Sequence, residues 1–150
     1  MSDNWLMFIS TDPYALPTEA ASESAVGLLK TYAPNALGEI VARVADRVEF
    51  HSGGGNWSGV RCPSCDADLE AWWSAAVDEA WASEFRKLAV TTPCCGHPTT
   101  LNDLSYVSPA GFSLFVLQAL NPNISDTTPE QDRALAEALG FELRKVWTHI

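Results

Sequence analysis

The first third of the chain alternates apolar and polar stretches that predict a strand, a helix and a bent strand. Residues 5–9 form a short apolar run that ends before Pro13, which is typical of a buried strand entering a loop. Residues 18–32 carry apolar side chains at helical spacing, so we predict a helix there. Residues 40–44 and 47–51 alternate apolar and polar positions, which favours two strands or one bent strand.

Two segments in the second half of the chain predict further helices. Residues 109–120 are apolar almost throughout and begin with a proline, which indicates a buried helix. The clearest pattern begins at Asp68, where apolar residues recur at intervals of three and four and predict one long amphipathic helix. Its apolar stripe comprises Leu69, Trp72, Trp73, Ala76, Val77, Ala80, Trp81, Phe85 and Leu88.

The last part of the chain completes the predicted architecture. Residues 128–131 have the sequence of a capping box and start a helix that stops at Gly140. Residues 141–150 then favour a closing strand. We predict a single α+β domain over residues 1–150, with an antiparallel or mixed sheet and helices on one face. Residues 52–100 form an insertion that carries the cysteines and the long helix.

All four cysteines lie in two short turns, one at each end of the long predicted helix. Cys62 and Cys65 belong to a Cys-Pro-x-Cys turn, and Cys94 and Cys95 are adjacent in a Thr-Pro-Cys-Cys-Gly turn. Four thiolates around one ion form the closed tetrahedral site that is typical of structural zinc. The sequence therefore predicts a Zn²⁺ ion bound by Cys62, Cys65, Cys94 and Cys95 in a zinc-ribbon-like element, with no catalytic residue.

His97 is an alternative fourth ligand, because Cys94 and His97 repeat the spacing of the two cysteines in the first turn. A site with only three protein ligands and a water would be catalytic, with Asp66, Asp68 or Glu70 as a base. A metal-dependent hydrolase is thus the alternative function. The same carboxylates also suit the N-terminus of the long predicted helix, where the helix dipole stabilises negative charge.

The chain is acidic, with a formal net charge of −10. Its nine basic residues are dispersed, whereas nucleic-acid binding needs clustered Lys and Arg, so a nucleic-acid partner is not expected. Negative charge suits a protein partner with a basic surface. No apolar run approaches the length of a membrane span, and the start lacks a leader pattern, so we expect a cytoplasmic location and no membrane partner.

The remaining motifs predict no catalytic chemistry. The glycine-rich residues 52–59 lack the Gly-Lys-Ser/Thr ending of a phosphate-binding loop and favour a flexible connector. His51 and His149 are isolated in sequence, with no nucleophile in a recognisable elbow, and are interpreted as ordinary histidines at strand ends.

Several motifs together resemble an uncharacterised family of small bacterial proteins that are sometimes labelled sugar ABC-transporter ATPases. They are Ser10-Thr11-Asp12-Pro13, Cys62-Pro63-Ser64-Cys65, Thr91-Thr92-Pro93-Cys94-Cys95-Gly96, Leu101-Asn102-Asp103-Leu104-Ser105-Tyr106, Pro109-Ala110-Gly111-Phe112 and Asn121-Pro122. The resemblance implies one co-folded unit whose signature is Cys-Cys-Gly, with both Cys94 and Cys95 as ligands. The chain has no Walker A loop, so the ATPase label does not fit it.

These observations favour a small acidic protein that acts by binding another protein. The specific hypothesis is an immunity or antitoxin-like inhibitor of a basic toxin, because the chain is small, acidic and without catalytic motifs. A homodimer joined through the apolar residues 109–120 is a further expectation.

Overall fold

The computed structural model describes residues 2–150, which form three α-helices, eight β-strands and one short 3-10 helix. In chain order they are β1 (Asn4–Ser10), α1 (Glu19–Tyr32), β2 (Ile40–His51), β3 (Val60–Arg61), α2 (Glu70–Trp81), β4 (Ala89–Thr91), β5 (Pro98–Thr100), the 3-10 helix (Leu101–Asp103), β6 (Ser105–Tyr106), β7 (Gly111–Leu120), α3 (Pro129–Leu139) and β8 (Leu143–His149). None of the helices within residues 2–150 has the length and apolarity to cross a membrane.

Four of the strands form one antiparallel sheet in the order β2-β7-β1-β8. The connections β1-α1-β2 and β7-α3-β8 therefore interleave, which is the split βαβ topology of ferredoxin-like folds. The predicted α+β class, with an antiparallel sheet, is confirmed. Residues 52–110 lie between β2 and β7, where this topology otherwise needs only a hairpin turn.

Helices α1 and α3 pack side by side on one face of the sheet. Ala25 and Leu29 of α1 and Leu135 of α3 are fully buried against Phe115 and Leu117 of β7. Their ends agree with the sequence prediction. The Thr18 hydroxyl accepts a hydrogen bond from Ala21 N–H, Thr128 and Gln131 form a complete capping box, and Gly140 ends α3 in the left-handed conformation.

The predicted helix over residues 109–120 is wrong, because this segment is the central strand β7. Phe115, Leu117 and Ala119 face the helices, whereas Phe112 and Val116 pack on the other side of the sheet. A strand covered on both faces is apolar at every position, so its alternation is invisible in the sequence. Burial within the sheet accounts for the apolar character of this segment, and the expected homodimer stays a prediction.

Two other predicted elements differ in extent. Strand β2 is one bent strand, with a register shift between Val44 and Glu49 where it pairs with β7. Helix α2 ends at Trp81, seven residues before Leu88, and Glu84 and Phe85 have φ angles of 57° and 60°. This left-handed turn places the centroid of the Phe85 ring 5.0 Å from that of Phe112. Phe85 therefore stays in the apolar core although the helix has already ended.

The glycine-rich segment is bonded to β8 and is not the free connector expected from composition. Gly55 N–H donates to His149 O at 2.7 Å, and His149 N–H donates to Gly53 O at 3.0 Å. Gly54 has φ +58°, and a Cβ there would lie 2.6 Å from His149 O. Only glycine fits this close approach without displacing backbone.

Phe115→Ala should lower the free energy of unfolding by about 3–5 kcal/mol, because it leaves a cavity in the core. Val44→Ala is the matched control: Val44 pairs with Phe115 in register but is 53% exposed. We expect it to change stability by about 0.5 kcal/mol or less. Urea denaturation measures both. A loss below about 1 kcal/mol for Phe115→Ala would contradict the buried placement of this strand.

Candidate metal centre

The first cysteine turn follows β3 and is built by backbone hydrogen bonds. Cys62 N–H donates to Ala67 O at 2.9 Å, and Asp66 N–H donates to Cys62 O at 3.0 Å. Ser64 N–H and Cys65 N–H both point at Cys62 Sγ, at 3.4 and 3.5 Å. The turn therefore fixes Cys62 with two donors that favour a thiolate.

The second cysteine turn joins β4 to β5. Thr92 N–H donates to His97 O at 2.9 Å, and Gly96 N–H donates to Thr92 O at 3.0 Å. Gly96 has φ 69°, the left-handed conformation that closes this turn. Cys94 and Cys95 lie between these two hydrogen-bonded ends.

The two turns bring all four thiols together. Sγ atoms are 3.7 Å apart for Cys62 and Cys95, 3.3 Å for Cys65 and Cys94, and 3.9 Å for Cys94 and Cys95. All four lie within 4.8 Å of one another. A tetrahedral ion with metal–sulfur bonds of about 2.3 Å spaces its sulfur atoms about 3.8 Å apart. The four cysteines can therefore hold one metal ion.

The predicted cysteines converge, and the His97 ring does not join them. Within residues 2–150 the cluster of potential ligands contains the four thiols alone. Sequence reasoning missed Thr92, which is 1% exposed and whose hydroxyl lies 3.7 Å from Cys62 Sγ and 3.6 Å from Cys95 Sγ. The shared Cys-Pro and Thr-Pro steps of the two turns are the signal that pairs Thr92 with Cys62.

The thiols and nearby N–H groups shift the pKa values of the cysteines in the cluster. Burial alone would raise the pKa of Cys62, but the N–H groups of Cys65 and Ser64 lower it to about 6. Ala67 N–H lowers the pKa of Cys65, whereas the neighbouring thiols, Cys94 first, raise it to about 12. Thiolates at these distances repel one another, so metal binding must displace protons from the cluster.

The cluster rests on a second apolar core that lies on the insertion side of the sheet. Cys62 is 2% exposed and packs in this core with Leu69 and Phe112. Two hydrogen bonds hold aromatic side chains in this core. Trp73 Nε1–H donates to Tyr106 Oη at 3.0 Å, and Tyr106 O–H donates to Leu101 O at 2.7 Å.

Arg144 of β8 fastens the insertion to the sheet. Its guanidinium donates to Asn102 O at 3.0 Å and to Ala110 O at 2.8 Å. Asn102 in turn donates to Thr11 O and accepts from Phe112 N–H, both at 2.8 Å. The insertion that carries the cysteine cluster is thus connected to the main sheet by packing and by a partly buried polar network.

The carboxylates expected near the site make local structural bonds. Asp68 Oδ1 accepts from Glu70 N–H at 2.9 Å, and Glu70 Oε1 accepts from Trp57 Nε1–H at 2.8 Å. Glu70 lies in the first turn of α2. These contacts fit the role of stabilising the start of that helix.

Comparison with protein-family models, with curated proteins and with solved structures yields no match. The resemblance to small bacterial proteins stays a prediction.

Cys62→Ser should abolish stabilisation by an added metal ion, with Zn²⁺ as the probe, because it removes the buried thiol that two backbone N–H groups orient. Ser64→Ala is the matched control, since Ser64 is exposed in the same turn. We expect thermal unfolding of the wild type and of Ser64→Ala to shift upward with Zn²⁺, by about 4 kcal/mol of stability at 1,000 times the Kd. A Cys62→Ser protein that responds to Zn²⁺ like the control would contradict this site.

Proposed function

We propose that the four-cysteine cluster is a structural zinc site. The spacing of the four Sγ atoms carries this proposal, since it matches a tetrahedron of bonds to one ion. Thiolates are soft ligands, and a tetrahedral site of four sulfurs is characteristic of Zn²⁺ or an iron–sulfur centre. Zn²⁺ is favoured because four thiols within 4.8 Å enclose one ion and leave no space for a cluster with bridging sulfides.

A closed site supports a structural role over the hydrolase alternative. Four thiolates complete the coordination of Zn²⁺, so no position remains for a water or a substrate. Two of the three carboxylates that a hydrolase could use as a base, those of Asp68 and Glu70, are held by Glu70 N–H and Trp57 Nε1–H. Zinc would therefore stabilise the insertion and perform no reaction.

X-ray absorption on the purified zinc-loaded protein tests the proposed coordination. We expect four sulfur ligands at about 2.3 Å. An oxygen or nitrogen ligand at about 2.0–2.2 Å in place of one sulfur would overturn the closed site and favour the hydrolase.

We infer that the zinc-stabilised protein acts in the cytoplasm by binding a protein with a basic surface. Helix α2 supports this, because its sequence contains three acidic residues and no basic one. Asp78 and Glu79 are exposed on it, and Trp81 at its end is 49% exposed. The guanidinium of Arg47 lies over the Trp81 ring, 5.7 Å from its centroid, so the exposed remainder of the ring beside Asp78 and Glu79 is the part suited to anchor a basic partner. An immunity or antitoxin-like inhibitor of a basic toxin, such as a nuclease, is the form we favour.

Pull-down of the tagged protein from its native host tests this interaction. We expect a stoichiometric complex that weakens as the salt concentration rises. Trp81→Ala should weaken the complex at least about fivefold, the loss typical of an interface anchor. Asp78→Asn with Glu79→Gln should slow association and reduce its salt dependence.

The matched control removes the same charge from α1 with Glu19→Gln and Glu23→Gln, both exposed. This control should leave affinity close to that of the wild type. Equal losses for the two pairs, or recovery of no stoichiometric partner, would count against an α2 interface.

A further inference from the structure

The two cysteine turns are one backbone motif that occurs twice. In both, the first residue donates its N–H to the carbonyl of the sixth at 2.9 Å, and the fifth donates to the carbonyl of the first at 3.0 Å. The fifth residues, Asp66 and Gly96, have φ angles of 62° and 69°. The flanking residues pair alike, as Arg61 with Asp68 and Thr91 with Pro98.

When the two turns are aligned by these hydrogen bonds, Cys62 corresponds to Thr92 and Cys65 corresponds to Cys95. Cys62 and Thr92 are 2% and 1% exposed, so both first positions are buried. Ser64 and Cys94 occupy the third position and are exposed. The second turn therefore has a hydroxyl where the first has a ligand thiol, and its extra thiol lies at the tip.

We propose that the second turn is a zinc knuckle with a displaced ligand: Thr92 occupies the first ligand position as a positioning residue, and Cys94 supplies the missing thiolate from the tip. This inference rests on the proposed zinc site. The Thr92 hydroxyl accepts from His97 N–H at 3.0 Å, which leaves its proton for a sulfur. Cys62 Sγ and Cys95 Sγ lie 3.7 and 3.6 Å away.

The displacement leaves Cys94 with less support than Cys62 and Cys95. Cys62 receives N–H groups from its own turn, and Cys95 contacts the Thr92 hydroxyl. Among residues 2–150, the hydrogen-bonding neighbours of Cys94 Sγ are other thiols. Hydrogen bonds from outside the coordination sphere orient and retain metal ligands. Cys94 would therefore be released from a bound zinc ion more readily than Cys62 or Cys95.

Cobalt(II) spectroscopy of the full chain tests the displaced ligand, because its thiolate charge-transfer band scales with the number of bound sulfurs. Cys94→Ser should lose about a quarter of this band, as expected from one thiolate in four. Adding Thr92→Cys to Cys94→Ser should restore the four-sulfur spectrum, because a thiol then occupies the vacant first position. A well-folded double variant that keeps the three-sulfur spectrum would overturn the proposal.

Thr92→Val tests the hydroxyl without requiring a new ligand. It should keep the four-sulfur spectrum while weakening zinc affinity by about 10–100-fold, the loss typical for a residue that supports a ligand. Thr92→Ser should retain affinity. Unchanged affinity in Thr92→Val would overturn the positioning role.

Comparing Cys94→Ser with Cys95→Ser tests the weaker ligand, since each removes one exposed thiol. Zinc transfer to a chelator should be slower from Cys94→Ser than from Cys95→Ser, and the reverse order would overturn the assignment. A wild-type protein that binds neither Co²⁺ nor Zn²⁺ would overturn the zinc site itself. Binding by the wild type without recovery in the double variant overturns only the displaced ligand.

Discussion

The convergence of four thiols on one point is the constraint on which the arrangement of the insertion depends. The hairpins that carry them are short, with two residues in β3 and three in each of β4 and β5, and such strands have little stability alone. The thiols also repel one another once ionised, so their proximity is itself unfavourable without a cation. A bound ion would convert this unfavourable cluster into a cross-link between the ends of the segment that contains α2.

Local sequence chemistry predicted the elements whose signals are local. Both α1 and α3 were predicted because Thr18, Thr128 and Gly140 mark their ends with side-chain caps and a left-handed glycine. Strand β7 was mistaken for a helix because burial on both faces removes the alternation that distinguishes a strand. The end of α2 was missed for a related reason: Phe85 keeps its place in the apolar core through a left-handed backbone turn that the apolar spacing does not encode.

The membership of the cysteine cluster was predictable, but the geometry of its second turn was not. Four cysteines in two turns predicted the cluster that the structure forms. Spacing alone left Cys95 and His97 as alternative ligands, because Cys94 and His97 are separated by the same number of residues as Cys62 and Cys65. Backbone hydrogen bonds select a different alignment, in which Thr92 corresponds to Cys62. Such bonds depend on the left-handed residue that closes each turn, and a count of residues between cysteines contains no information about it.

The position of the insertion has a consequence for how the chain acquires its structure. Strands β2 and β7 are neighbours in the sheet, yet residues 52–110 separate them in sequence. The entropy lost on closing a loop grows with its length, and topologies dominated by distant contacts form slowly. An insertion that became compact first would present the two strands to each other as a short turn does. The rate at which β2 and β7 pair would then depend on how fast residues 52–110 fold, although these residues contribute no strand to that sheet.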